Sequence, residues 1–414
     1  MIEKQHWKKN IFLFIAGQTV SLFGSMLVQY AITWHITLET QSGVMMTLSI
    51  ICGFVPTFLL SPFAGVWSDR YNRKLLIVLA DGVIAMTTLV LAILFGMGFN
   101  SIWLLFVTMA IRSFGAGVQT PAFNAFIPQV VPEDKLTKIN AITGSIQALT
   151  ALAAPMISGM LLNFAKLENI FMIDVVTAVL GIATLMFFVR SKPQVKNGDE
   201  EKSYIAEMLS GIKYIKEHDF LKIMFLFFAM FSITVTPLAF LSSLHVTRLF
   251  GAEVKYLTAL EVSFSMGMIL GGIMMSTWGC FKNRTYTLAA SFLITGAGTV
   301  ILGFNPIAWV YFATMMALGI TMPMSQTPFN VLIQEKVEDE YLGRVFSAVS
   351  MISSSMMPIS MLVFGPLADA VPIECIMLAT GVITLVLSIL VFRNKTLIKA
   401  GEPLVKKEAA NELI

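Results

Sequence analysis

Four ionisable residues stand inside long apolar runs of this chain: Arg112, Asp81, Asp174 and Glu261. A charge near the middle of a hydrocarbon-embedded helix costs at least about 2.5–3.5 kcal/mol, so each needs water, a counter-ion or a hydrogen-bonding partner. Arg112 lies mid-run, and its default reading is functional. Glu261 shares a helical face with Ser265 and Met268. A carboxyl group in an apolar cleft there can load and release a proton, so Glu261 is the first choice for proton or cation coupling. Asp174 is the second candidate, with helix capping or backbone hydrogen bonding near a helix start as its structural alternative. Asp81 is expected to pair with a basic loop at the near end of its run. No His, Cys and Glu cluster has the spacing of a metal or nucleophile site, and no P-loop is present. Catalysis and ATP-driven chemistry are therefore not expected. Cys52, Cys280 and Cys375 read as packing residues.

The elements that must hold these groups are apolar helices. Hydrophobic residues make up 56% of the 414, the mean hydropathy is +0.79, and 13% are charged, against roughly 25% in an ordinary soluble protein. Twelve runs of bilayer-crossing length are expected near 11–38, 44–66, 75–97, 101–122, 139–163, 169–190, 219–244, 256–279, 285–304, 307–328, 345–367 and 373–393. Wound at 100° per residue, the first run places Gln18, Ser21, Ser25, Gln29 and Thr33 on one face. The fourth does the same with Thr108, Arg112, Gly115 and Gln119. Polar stripes of this kind face other helices or water rather than lipid.

An internal repeat sets the architecture. Gln119 to Lys138 reads QTPAFNAFIPQVVPEDKLTK, and Gln326 to Arg344 reads QTPFNVLIQEKVEDEYLGR, in register after one deletion near Ala122. A duplicated helix–loop–helix in so apolar a chain implies two homologous membrane halves, the plan of a transporter. The expected organisation is an all-α membrane protein of two pseudo-symmetric six-helix bundles. These are 1–190 and 219–395, joined by a linker at 191–218 that carries an amphipathic surface helix, with a polar tail at 396–414. Basic residues cluster on one side, including Lys8, Lys9, Arg70, Arg73, Lys74, Lys138, Arg284 and Arg344, while the other side carries Lys166, Arg248 and Lys255. The positive-inside rule then puts both termini and the linker in the cytoplasm.

Between the second and third runs lies Gly65-Val-Trp-Ser-Asp69-Arg70-Tyr-Asn-Arg73-Lys74. Gly65 allows close helix contact, Asp69 can accept from a neighbouring helix N-terminus, and the basic cluster holds the loop at an anionic leaflet. This loop resembles the cytoplasmic signature of the major facilitator superfamily. Arg112 with Gly115 and Gly117 resembles that superfamily's proton-coupling arginine motif. Ala154-Pro155-Met156-Ile157-Ser158-Gly159 is similar to its antiporter signature, with Ala154 and Ser158 standing where glycines are usual. Ala16-Gly17-Gln18, Asp81, Thr120-Pro121-Ala122 and Tyr341-Leu-Gly-Arg-Val-Phe346 resemble the macrolide efflux branch, whose members also export siderophores or other amphiphiles.

The resemblance implies alternating access in a bacterial-type cytoplasmic membrane, with proton entry driving export of hydrophobic or amphipathic compounds such as macrolides. It implies that Gln18, Ser21, Ser25, Gln29, Thr108 and Gln119 line a central cavity; Met268, from its residue type, is expected to be an adaptable apolar contact there. It implies a conformational-switch role for the Gly65–Lys74 loop and an antiporter-like helix around Pro155, Ser158 and Gly159. No cofactor, metal or nucleic-acid partner is implied, and a monomer is expected. Siderophore export and lipid flipping are the alternatives within this fold. A membrane-embedded sensor or enzyme is the alternative outside it.

Overall fold

The computed structural model describes residues 3–132, 135–189, 213–277, 279, 281–304 and 307–402. A backbone crossing hydrocarbon must satisfy its own polar groups, and the described elements are helices throughout. They are α1 (Glu3–Thr40), α2 (Gly43–Arg70), α3 (Arg73–Gly96), α4 (Ile102–Val130), α5 (Leu136–Phe164) and α6 (Leu167–Ala183), the last continued by a π-helical turn at Thr184–Phe188. A second series follows: α7 (Asp219–Phe250), α8 (Val254–Thr277), α9 (Arg284–Gly303), α10 (Ala308–Lys336), α11 (Asp339–Ala370), α12 (Ile373–Arg393) and a short α13 (Lys395–Gly401). Twelve of these are long and apolar enough to cross a membrane. The twelve-span, all-α expectation is met. Most of the expected linker lies outside the described residues, which within it include a helical stretch at 213–217.

Helix starts follow from local chemistry. Asn72 accepts from the Leu75 N–H at the start of α3, and Asn283 accepts from the Thr285 N–H at the start of α9. Each caps an otherwise orphaned donor, and each is followed by an arginine. The loop before α9 thus has the same Asn-Arg helix start as the loop before α3.

The chain folds as two compact units. The first takes in the described residues up to Val189 together with Val246–Glu261; the second takes in Lys213–His245 and the described residues from Val262 onward. In the first unit α3 packs on α4 and α6, α1 on α5 and α6, and α2 on α4. In the second, α9 packs on α10 and α12, the same pairings as α3 with α4 and α6. This repeated packing is the two-bundle fold that the sequence repeat implied.

Apolar clusters occupy both ends of the first unit. One gathers Phe14, Ile77, Phe123, Phe126, Ile127 and Leu185. The other gathers Val28, Ile32, Leu91, Leu105, Met109 and Phe171. On α1, α3 and α4 alike, the residues between these two clusters include the polar ones.

Candidate functional site

Two polar layers fill that interval. In one, Arg112 of α4 meets Asp174 of α6 as a buried ion pair, and the side chains are 6% and 0% exposed. Asp174 also accepts from the Ser25 hydroxyl of α1 at 2.8 Å and the Thr88 hydroxyl of α3 at 2.9 Å. Arg112 donates in addition to Thr88 Oγ1, and through its second terminal nitrogen to the Ser25 carbonyl at 3.0 Å. Four helices therefore converge on one carboxylate. The remaining donor, Arg112 Nε, is buried without a hydrogen-bond partner among the described residues.

The second layer lies seven residues away on three of the same helices: Gln18 on α1, Asp81 on α3 and Gln119 on α4. Seven residues are about two turns, or about 10 Å of helix. Gln18 Nε2 donates to Asp81 Oδ2 at 3.0 Å, and Gln119 Nε2 donates to Gln18 Oε1 at 2.9 Å. This corrects the expectation for Asp81. The bases of the nearby loop are engaged elsewhere, and the buried carboxylate takes its hydrogen bond from an amide instead.

Close approach of α1 to α6 makes the Arg112–Asp174 layer possible. A Cβ on Gly24 would collide with Thr177 Oγ1 and sit 3.2 Å from Asp174 Cα. Gly24 therefore lets the helix bearing Ser25 approach the helix bearing Asp174. Ser21, read from sequence as cavity-lining, is buried with its Cβ packed toward Gly181 of α6. Gln29 turns toward Gly53 of α2, and Thr33 returns its hydroxyl to the Gln29 carbonyl. Thr108 is buried one turn beyond Arg112. The polar stripe of α1 thus splits among the two layers, the α6 seam and α2.

The Gly65–Lys74 segment is tied to helix ends. Arg73 donates to the Ser68 carbonyl at 2.8 Å and to the Ala125 carbonyl of α4 at 2.7 Å. Lys74 donates to the Val189 and Met186 carbonyls after α6, at 2.8 and 3.1 Å. Cations on C-terminal carbonyls are favourably placed in the helix dipole. Arg70 is exposed, and the Asp69 side chain lies outside the described residues. A Cβ on Gly65 would meet nothing within 4 Å, so close helix contact does not account for this glycine here.

On α5, Pro155 is buried inside the helix and Ser158 donates to the Leu27 carbonyl of α1 at 3.1 Å. One residue on, a Cβ at Gly159 would collide with Thr258 Oγ1 and lie 2.6 Å from Trp34 Cζ3. The antiporter-like segment is thus a tight crossing within the first unit. Glu261 stands apart from both polar layers. It is half-buried and makes no hydrogen bond or ion pair among the described residues. Met268 is half-buried on α8. An apolar groove of about 450 Å³ in the second unit is lined by Met230, Phe364, Leu367, Cys375 and Ile383, among others, and by none of the residues expected to line a cavity.

The second unit repeats the frame without ions at the positions equivalent to Arg112 and Asp81. Counting back seven from the repeated glutamine puts Gly319 where the first unit has Arg112, and Gly319 packs against Gly267. Counting from the shared Asn-Arg start puts Phe292 where α3 has Asp81, and Phe292 stacks on Phe231 with centroids 3.9 Å apart. Sequence reasoning missed Thr88 and the role of Gln18. The signal was present as a common spacing of seven in Gln18/Ser25, Asp81/Thr88 and Arg112/Gln119.

A twelve-span helical frame of two similarly packed units, the first with a buried ion pair at its centre, is the frame of a membrane transporter. The family model of the Major Facilitator Superfamily matches residues 13–361, and the chain belongs to that superfamily. It is 29% identical over 391 residues to macrolide efflux protein A of Streptococcus pyogenes, covering 94% of this chain and 96% of that protein. It is 20% identical over 362 residues to the staphyloferrin A transporter of Staphylococcus aureus, covering 86% and 89%. Among solved structures, a POT family transporter in complex with 5-aminolevulinic acid superposes with TM-score 0.72 at 11% identity, covering 93% of this chain and 95% of that one. The nucleoside transporter NupG superposes with TM-score 0.68 at 12% identity, covering 93% and 99%.

Proposed function

We propose that this transporter exports hydrophobic or amphipathic compounds, macrolide antibiotics foremost, in exchange for protons. The near full-length similarity to macrolide efflux protein A carries the substrate reading. The buried Arg112–Asp174 pair supports the coupling. With Asp174 ionised, the pair and its two hydroxyl donors hold α1, α3, α4 and α6 together. A proton on Asp174 cancels the attraction and leaves a buried guanidinium without its counter-ion, a state that drives the helices to a new arrangement. Alternating access follows when that rearrangement opens one face of the protein and closes the other. Inward proton movement supplies about 2.3 kcal/mol per 100 mV of membrane potential. The distribution of basic residues supports cytoplasmic termini and a six-plus-six organisation about the 191–218 linker.

The test is accumulation of radiolabelled erythromycin in energised cells with and without the protein, repeated after a protonophore. Expression should lower accumulation, and the protonophore should restore it. Equal accumulation in both strains refutes the macrolide reading. The similarity to the staphyloferrin A transporter favours a siderophore as the second reading, which export of a carboxylate siderophore from the same cells would reveal.

A further inference from the structure

Asp81 is a buried carboxylate that the ion pair does not use. It is 4% exposed, and its hydrogen-bonding partner is Gln18, itself 3% exposed. The titratable and charged groups around it are few. From α6 comes Asp174, in the polar layer seven residues further along α3. From α4 comes Arg112, committed to Asp174, Thr88 and the Ser25 carbonyl. On α3 itself, Arg73 and Lys74 are bound to the carbonyls of Ser68, Ala125, Met186 and Val189. On α1, Lys8 and Lys9 are exposed near the helix start. Among the described residues, the interval between the two apolar clusters of the first unit thus holds two carboxyl groups for one guanidinium. Charge balance there calls for one proton.

The hydrogen-bond chain gives that proton a readout. Gln119 donates to Gln18, and Gln18 donates to Asp81, so every donor points toward the carboxylate. An amide has a donor end and an acceptor end. A protonated Asp81 needs an acceptor instead, and turning the Gln18 amide over supplies Oε1 to it. Gln18 Nε2 then faces Gln119, whose amide must turn as well. Gln119 is half-buried, two residues before Pro121 of α4 and beside exposed Thr120.

We propose that Asp81 is a second proton-carrying residue of this transporter, and that the Gln18–Gln119 amide chain reports its protonation to α4 by reversing its direction. The proton binds a carboxylate oxygen of Asp81, its O–H donates to Gln18 Oε1, and the same proton leaves to water when the chain turns back. Asp81 lies two turns nearer the N-terminal end of α1 than the Asp174 layer. The assignment rests on the proton-coupled reading above and adds a site to it.

Infrared difference spectroscopy of the purified full-length protein between acidic and alkaline pH tests it. Wild type should show a protonated-carboxyl band that Asp81→Asn removes, while the Asp174→Asn change removes a different one. Gln119→Leu should shift the frequency of the Asp81 band, although Gln119 does not touch Asp81, and Gln119→Asn should restore part of the shift. Retention of every wild-type band in Asp81→Asn, or an Asp81 band that Gln119→Leu leaves unmoved, overturns the proposal. Erythromycin-driven proton flux in proteoliposomes separates the two levels. Its absence in wild type refutes the coupled-transport reading. Its presence in wild type with an unchanged proton-to-drug ratio in Asp81→Asn refutes the role of Asp81 alone.

Discussion

Replacing Arg112 by leucine would strand Asp174 in a site where its side chain is wholly buried. Two hydroxyl donors, from Ser25 and Thr88, would remain. Breaking a buried ion pair from one side costs about 3–5 kcal/mol, because the partner's charge is left uncompensated. Here the loss has a ceiling. Asp174 can take a proton instead, and protonating an ordinary aspartate at pH 7 costs about 4 kcal/mol. The expected destabilisation of Arg112→Leu is therefore about 3–4 kcal/mol. Asp174→Asn should cost a similar amount, since the guanidinium is then left buried with neutral partners. The double variant, Arg112→Leu with Asp174→Asn, contains no buried charge at this layer and should lose much less than the two single losses added together. A coupling energy of about 3 kcal/mol is expected from that double-mutant cycle. Unfolding by SDS titration in mixed micelles would measure all four proteins. Additive losses would refute the ion pair as the element holding α4 to α6. Export should be abolished in all three variants, though each still inserts in the membrane.

Three further outcomes follow from the same geometry. Gly159→Ala should lower export and cost about 1–3 kcal/mol by overpacking, because its Cβ would meet Thr258 and Trp34; adding Thr258→Ala should recover part of the stability, and no recovery would mean the crossing is not the cause. Gly24→Ala should force α1 from α6 and weaken the Ser25–Asp174 hydrogen bond, again about 1–3 kcal/mol; Thr177→Ala should relieve it only in part, since Asp174 Cα still stands 3.2 Å away, and full rescue would show that backbone contact is immaterial. Arg73→Leu should remove the ties from the loop to Ser68 and Ala125, lowering the maximal export rate at unchanged half-saturating drug concentration; a normal rate would reduce the loop to a topological anchor.

How much of this was legible in the chain differs from residue to residue. Span number, the internal duplication and the cost of Arg112 all follow from composition, run length and one embedded charge, because a bilayer penalises each lapse locally. Those properties need no partner to be read. The stripe Gln18, Ser21, Ser25, Gln29 on α1 was equally visible, yet its meaning was not. Neighbours from α3, α6 and α2 divide it among an amide chain, a glycine seam and an ion-pair layer. Asp81 shows the same limit most sharply: proximity in sequence pointed to the basic loop, while packing delivered Gln18 from sixty-three residues away. Sequence by itself determined that this chain must be a duplicated bundle of membrane helices with costly ions inside it. Tertiary structure decided which helix supplies each ion's partner, because a buried charge is stabilised by whatever donor the fold brings within 3 Å, and that distance is set by the close packing of helices far apart in the chain.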